Sequence, residues 1–204
     1  MDRRSVSFLN AALGAVSGVL TAAYPFVVYF FNSKGLAAWA LVLLCVSLGL
    51  KTAISSEGKR KLAAALFFLS LLLLALYLIC GGIVFVKAYP IAVNALLLSL
   101  FGSTLLWGEK SMIESIACLT VPPKDRTRSF KKYCRNVTAA WCAFFIFNGT
   151  VSAYTASECS DECWMIYNGA ISYALIGLMF AGEYVCRVLV RRKNKVSGDD
   201  SEVG

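Results

Sequence analysis

Residues 144–154 read FFIFNGTVSAY, an asparagine and a glycine set in the middle of an apolar run. Residues 167–174, YNGAISYA, repeat the order: aromatic, Asn, Gly, a small residue, Val or Ile, then Ser. The fold turns on whether such runs are core helices of a soluble domain or membrane segments carrying amides. Composition decides for the membrane. The 204 residues are 58% hydrophobic and only 16% charged, with a mean hydropathy of +0.67. That leaves too few charges to cover the surface of a soluble domain of this size.

The apolar residues lie in long uncharged runs near 6–31, 35–54, 62–83, 88–107, 136–157 and 165–190. Each can cross about 30 Å of hydrocarbon as a helix. In lipid, backbone polar groups must be paired within the span, and no strict alternation of a barrel strand is present. The reading is therefore all-α: one bundle over residues 1–190 with six transmembrane helices, followed by a flexible tail over 191–204. The first span is too long for a signal-sequence core and lacks a good cleavage site, so it is expected to be retained.

Charge sets the expected orientation. With six spans, 18 of the 20 Lys and Arg fall on the side holding the N-terminus, the 51–61 and 108–135 loops and the tail. Only Lys34 and Lys87 fall on the other. Positive charge stays in cytoplasmic loops, so both termini are expected in the cytoplasm. This asymmetry also explains the net charge of +8 without nucleic acid, and anionic headgroups are the expected neighbours of the basic loops.

The 108–135 loop carries Met112, Ile113, Ile116 and Leu119 at helical spacing before Pro122 and Pro123. It reads as a short amphipathic helix, either lying on the cytoplasmic interface or packed on the bundle. Beyond it, Lys124, Arg126, Arg128, Lys131, Lys132 and Arg135 form a basic surface suited to headgroups or an acidic partner. On the opposite side, Cys159 and Cys163 flank part of an acidic loop. A disulfide and two free thiols both fit there. The pair alone is not a zinc site, which wants four ligands, and the chain contains no histidine.

Polar residues inside the spans are the candidates for function. Thr138, Trp141, Phe145, Asn148 and Ser152 share one face of the fifth span. Asn168 and Ser172 share a face of the sixth, Asn94 enters with the fourth, and Tyr24, Tyr29 and Tyr89 sit at a similar level. These groups either bond helices together or line a groove for a lipid-like ligand. Ala-Tyr-Pro occurs at 23–25 and again at 88–90, and Pro25 should kink the first span. Glu183 is the one acid well inside a span. Arg187 follows one turn later, so an ion pair is available. Walker, nucleophile-elbow and paired-His motifs are missing, and no cofactor or catalytic residue is indicated.

AYPIAVNALLLSLFGSTLL, WCAFFIFNGTVSAYTA and YNGAISYALIGLMFAGEYVCR resemble a family of small bacterial inner-membrane proteins. That family is found with aryl-polyene and related fatty-acid-type biosynthetic genes and is distantly similar to intracellular septation protein A. The matching positions are Tyr89, Pro90, Asn94, Trp141, Phe144, Asn148, Gly149, Tyr154, Tyr167, Asn168, Gly169, Glu183 and Tyr184. The resemblance implies an inner-membrane accessory protein and transfers no catalytic residue. It leaves three readings: a scaffold for cytoplasmic acyl-carrier-linked enzymes, a lipid-binding or lipid-translocating protein, and an enzyme using Glu183.

Overall fold

The computed structural model describes the backbone of residues 3–199 apart from 120 and 123–125, and side chains from 12 to 187 apart from those residues and Lys59. Helices α1 (Arg3–Ala22) and α2 (Tyr24–Asn32) are followed by α3 (Ala37–Ile54), α4 (Glu57–Cys80), α5 (Ile83–Lys87) and α6 (Tyr89–Leu106). Then come α7 (Met112–Ala117), α8 (Arg128–Glu158), α9 (Asp161–Ile166), one π-helical turn (Tyr167–Ile171) and α10 (Ser172–Asp199). Among the described residues there is no strand.

Five helical segments are long and apolar enough to cross a membrane, and a sixth is counted when the bent pair α1–α2 is taken as one span. The bend is 57°, and its cause is local. Pro25 stands in the first turn of α2 and has no N–H to give to the carbonyl one turn back, so the helix restarts at Tyr24. The break after α4 has a different origin: Gly81 and Gly82 take φ of 69° and 91°, a region that residues with a Cβ rarely enter. Two further boundaries differ from the sequence reading. Helix α8 starts at Arg128 rather than near 136, because the Thr127 hydroxyl caps it by accepting from the Phe130 N–H. Helix α10 runs on through residues 191–199, the first part of the segment read as a tail; residues 200–204 lie outside the described ones.

Helix ends alternate along the chain, so the bundle has two distinct ends. The basic end gathers the α3–α4 turn, α7, the start of α8 and the far part of α10. The opposite end gathers α2, α5 and α9. One core cluster sits toward the latter, with Tyr24, Val28, Leu41, Leu44, Leu48, Val86, Tyr89 and Trp164 buried together. A second cluster, nearer the basic end, packs Ile113 of α7 against Cys134, Trp141 and Phe145 of α8. Many large apolar side chains face outward, among them Phe30, Leu72, Phe147 and Leu178, as a lipid-facing surface requires. Helices α1 and α3 are tied by Ser17, whose Oγ donates to the Ser47 carbonyl at 2.7 Å.

Candidate functional site

The repeated Asn-Gly segments meet in a reciprocal arrangement. Asn148 and Ser152 lie one turn apart on α8, and Asn168 and Ser172 lie one turn apart across the π turn. Ser172 donates to Asn148 Oδ1 at 3.1 Å, and Ser152 donates to Asn168 Oδ1 at 2.6 Å. Antiparallel neighbours thus exchange a serine for an amide twice. Asn148 Oδ1 also accepts from the Tyr167 hydroxyl at 3.0 Å. Its Nδ2 donates to Asn94 Oδ1 at 3.2 Å, and Asn94 Nδ2 turns back to the Pro90 carbonyl at 2.8 Å. Asn168 Nδ2 donates to the Trp164 carbonyl at 3.0 Å. All of these side chains are buried, and every amide oxygen and nitrogen in the set has a protein partner.

Glycine permits this approach. A Cβ at Gly149 would stand 3.2 Å from Asn94 Cβ, and one at Gly169 would stand 2.7 Å from the Phe26 ring. The π turn matters as well. Its extra residue, closed by the Ser172 N–H to the Tyr167 carbonyl, turns Tyr167, Asn168 and Ser172 toward α8 together. Tyr167 enters the sequence reading only as the aromatic of the repeat and through the family resemblance, because an uninterrupted α-helix does not place residues 167, 168 and 172 on one face. Its neighbour Asn168 was the available signal.

The tyrosines divide differently. Tyr24 and Tyr89, one from each Ala-Tyr-Pro, pack edge to face with ring centroids 5.1 Å apart, and the Tyr24 hydroxyl donates to the Val86 carbonyl at 2.6 Å. They form a separate contact where two helices restart. Tyr29 joins neither set: it is only partly buried and its ring packs on Phe30, because it lies about 100° round α2 from the face that buries Tyr24 and Val28. Trp164 is fully buried, and its Nε1–H is the one buried side-chain polar atom without a partner among the described residues.

At the same end, Lys87 is a buried base whose Nζ lies 2.6 Å from Asp161 Oδ1, while Asn32 Nδ2 donates to the other oxygen of Asp161. This clamp joins α2, α5 and α9. Nothing in the sequence near Lys87 marks it as buried, although a lone base and an acidic loop assigned to the same side were a hint. Next to it Cys159 and Cys163 are free thiols. The Cys159 thiol is pushed up from its ordinary pKa, first by its hydrogen bond with Cys163, then by desolvation and by the charges of Cys163 and Glu158.

Toward the basic end, Glu183 is fully engaged. Arg187 Nη2 lies 2.5 Å from its Oε1, Trp141 Nε1 donates to Oε2 at 3.4 Å, and Tyr133 donates to the Glu183 carbonyl at 3.2 Å. The carboxylate therefore ties α10 to α8. Beyond it lies an open cleft of about 460 Å³ between α7 and the first turns of α8. Its walls include Arg128, Lys131, Lys132, Arg135, Ser111 and Glu114. Four members of the basic surface thus line one cavity. Arg126 does not: its guanidinium donates to the carbonyls of Cys118 at 2.8 Å and Val121 at 2.9 Å, closing the loop after α7. Lys124 lies outside the described residues. The cleft is firmly built, since the Met112 N–H donates to Thr104 Oγ1 at 2.9 Å and the Ile113 N–H to Thr138 Oγ1 at 3.3 Å. No group of three or more metal-binding side chains occurs among the described residues.

No family model matches the chain, and no solved structure matches it. A stretch of 121 residues is 26% identical to the inner membrane-spanning protein YciB of Marinomonas sp. (strain MWYL1). The match covers 55% of this chain and 65% of that protein, just under two thirds of its length. The chain is an integral membrane protein distantly similar to that relative.

Proposed function

We propose that the chain is a non-catalytic accessory protein of a bacterial inner membrane, both termini cytoplasmic, acting as a scaffold through its basic end. One observation carries the reading. The amides and hydroxyls inside the bundle are spent on one another, and Glu183 on Arg187 and Trp141. The open charged cavity lies instead at the face of α7 and α8, rimmed by exposed Arg128, Lys131, Lys132 and Arg135. The Lys and Arg asymmetry puts that face in the cytoplasm, and the distant similarity to an inner membrane-spanning protein agrees with the location. A basic face with four exposed cations suits an acidic soluble partner, whose encounter it would steer. The finer reading rests on the family resemblance alone: the partners are acyl-carrier-linked enzymes, and the process is polyene or fatty-acyl lipid biosynthesis.

Affinity purification of the tagged chain from its own cells tests this. The acyl-carrier-linked enzymes should co-purify with the wild type and be lost when Arg128, Lys131, Lys132 and Arg135 are all changed to Ala. Undiminished co-purification with a variant that elutes and unfolds like the wild type would defeat the docking reading.

A further inference from the structure

We propose that Cys159 and Cys163 form a disulfide on the outer side of the membrane, closing the corner that presents Asp161 to Lys87. The inference rests on the reading of the basic end as cytoplasmic. Three observations lead to it.

The first is local geometry. Cys159 directly follows α8 and Ser160 caps α9, and both have extended backbones, with ψ of 165° and 159°. The chain turns there, and two bonds hold the turn. The Cys163 N–H donates to Ser160 Oγ at 3.2 Å, and the Trp164 N–H donates to the Ser160 carbonyl at 3.0 Å. Cys163 is thereby kept beside Cys159, and the two thiols are hydrogen-bonded. Sulfurs in contact on a held turn can bond without the backbone movement that distant cysteines would need.

The second is access. Cys163 is exposed and Cys159 partly so, at the end opposite the basic one. The Lys and Arg asymmetry sets that end outside the cytoplasm, where disulfides form and persist. The oxidant is a disulfide-bearing protein or small molecule of that compartment. The Cys163 thiolate attacks it and releases one donor thiol; the Cys159 thiolate then displaces the second. The pair gives up two protons and two electrons, and the donor disulfide ends as two thiols.

The third is what the loop encloses. Asp161 stands midway between the two cysteines, and its carboxylate holds Lys87 of α5 at 2.6 Å and Asn32 of α2. Lys87 is only 4% exposed, and a base at that depth depends on its carboxylate staying in place. A bridge across residues 159–163 restricts the segment that carries this carboxylate, while the fully buried Trp164 anchors α9 in the core.

Free thiols in growing cells would be trapped by acid quenching and a light maleimide under denaturing conditions. The chain would then be reduced and treated with a heavy maleimide. Peptide mass spectrometry should find the heavy label on Cys159 and Cys163 and the light one on Cys118. In the purified full chain, reduction should speed hydrogen exchange of the α9 amides by about thirty-fold, the chain-entropy effect of so short a loop. It should change nothing in Cys159→Ser with Cys163→Ser, which leaves every member of the clamp in place. Light label on both cysteines in cells would overturn the bridge, and equal exchange before and after reduction would overturn its hold on the clamp. Equilibrating the purified chain with glutathione disulfide tells two failures apart. A pair that closes there but is light in cells sinks the assigned orientation; a pair that stays open sinks the geometry and leaves the orientation standing.

Discussion

Asn148 is the residue on which the interior of the bundle converges. Its side chain makes three hydrogen bonds to other elements, with Asn94, Tyr167 and Ser172. Polar contacts between membrane helices are worth about 0.6 kcal/mol each on average, so Asn148→Leu should cost about 2 kcal/mol. The loss grows if the buried hydroxyls of Tyr167 and Ser172 find no new acceptor. Unfolding of purified protein in mixed micelles measures it. Ser99→Ala is the control, because the Ser99 hydroxyl donates only to the Ala95 carbonyl of its own helix and should leave stability unchanged. A cost for Asn148→Leu no larger than that of the control would mean the array does not hold the helices together.

At the scale of elements, the contact of α6 with α8 depends on a missing side chain. Ala in place of Gly in a helix interior gains up to about 1 kcal/mol of propensity. At Gly102 nothing lies within 4 Å of a new Cβ, so Gly102→Ala should stabilise. At Gly149 the new methyl would press on Asn94 Cβ at 3.2 Å. Asn94 cannot swing away without breaking its bonds to Pro90 and Asn148. Gly149→Ala should therefore destabilise despite the same propensity gain, and opposite shifts in the unfolding midpoints would check this. The elements themselves were largely readable: uninterrupted hydrophobic runs located most spans, and Pro25 announced the bend. What escaped were features needing a third dimension. The π turn at Tyr167–Ile171 has no residue signature of its own, yet it determines which polar groups meet. The start of α8 is hidden in the sequence because a run of bases reads as loop, while Thr127 caps a helix through them. The candidate amides and serines were identifiable from spacing. Their reciprocal pairing, and the burial of Lys87 against Asp161, were not, since both depend on how separate helices pack.

The whole molecule is polarised, and its orientation is open to a chemical test that uses native cysteines. Cys118 follows α7 at the basic end, whereas Cys159 and Cys163 lie at the opposite end beside the Lys87–Asp161 clamp. The charge asymmetry assigns the first to the cytoplasm and the pair to the outside. In spheroplasts treated with a mild reductant, a membrane-impermeant maleimide should label Cys163, which is exposed. It should reach Cys118 only after the membrane is opened. Cys159 should respond differently from its neighbour. It is only partly exposed, and its hydrogen bond with Cys163 raises its pKa, so less of it is thiolate at neutral pH. Thiolate is the reacting form, and a raised pKa delays its appearance as pH climbs. The share of label on Cys159 should accordingly be small at neutral pH and increase with alkalinity, read by peptide mass spectrometry. Labelling of Cys118 before permeabilisation would reverse the assigned topology. It would also carry the basic cleft, with the partner proposed for it, to the wrong side of the membrane.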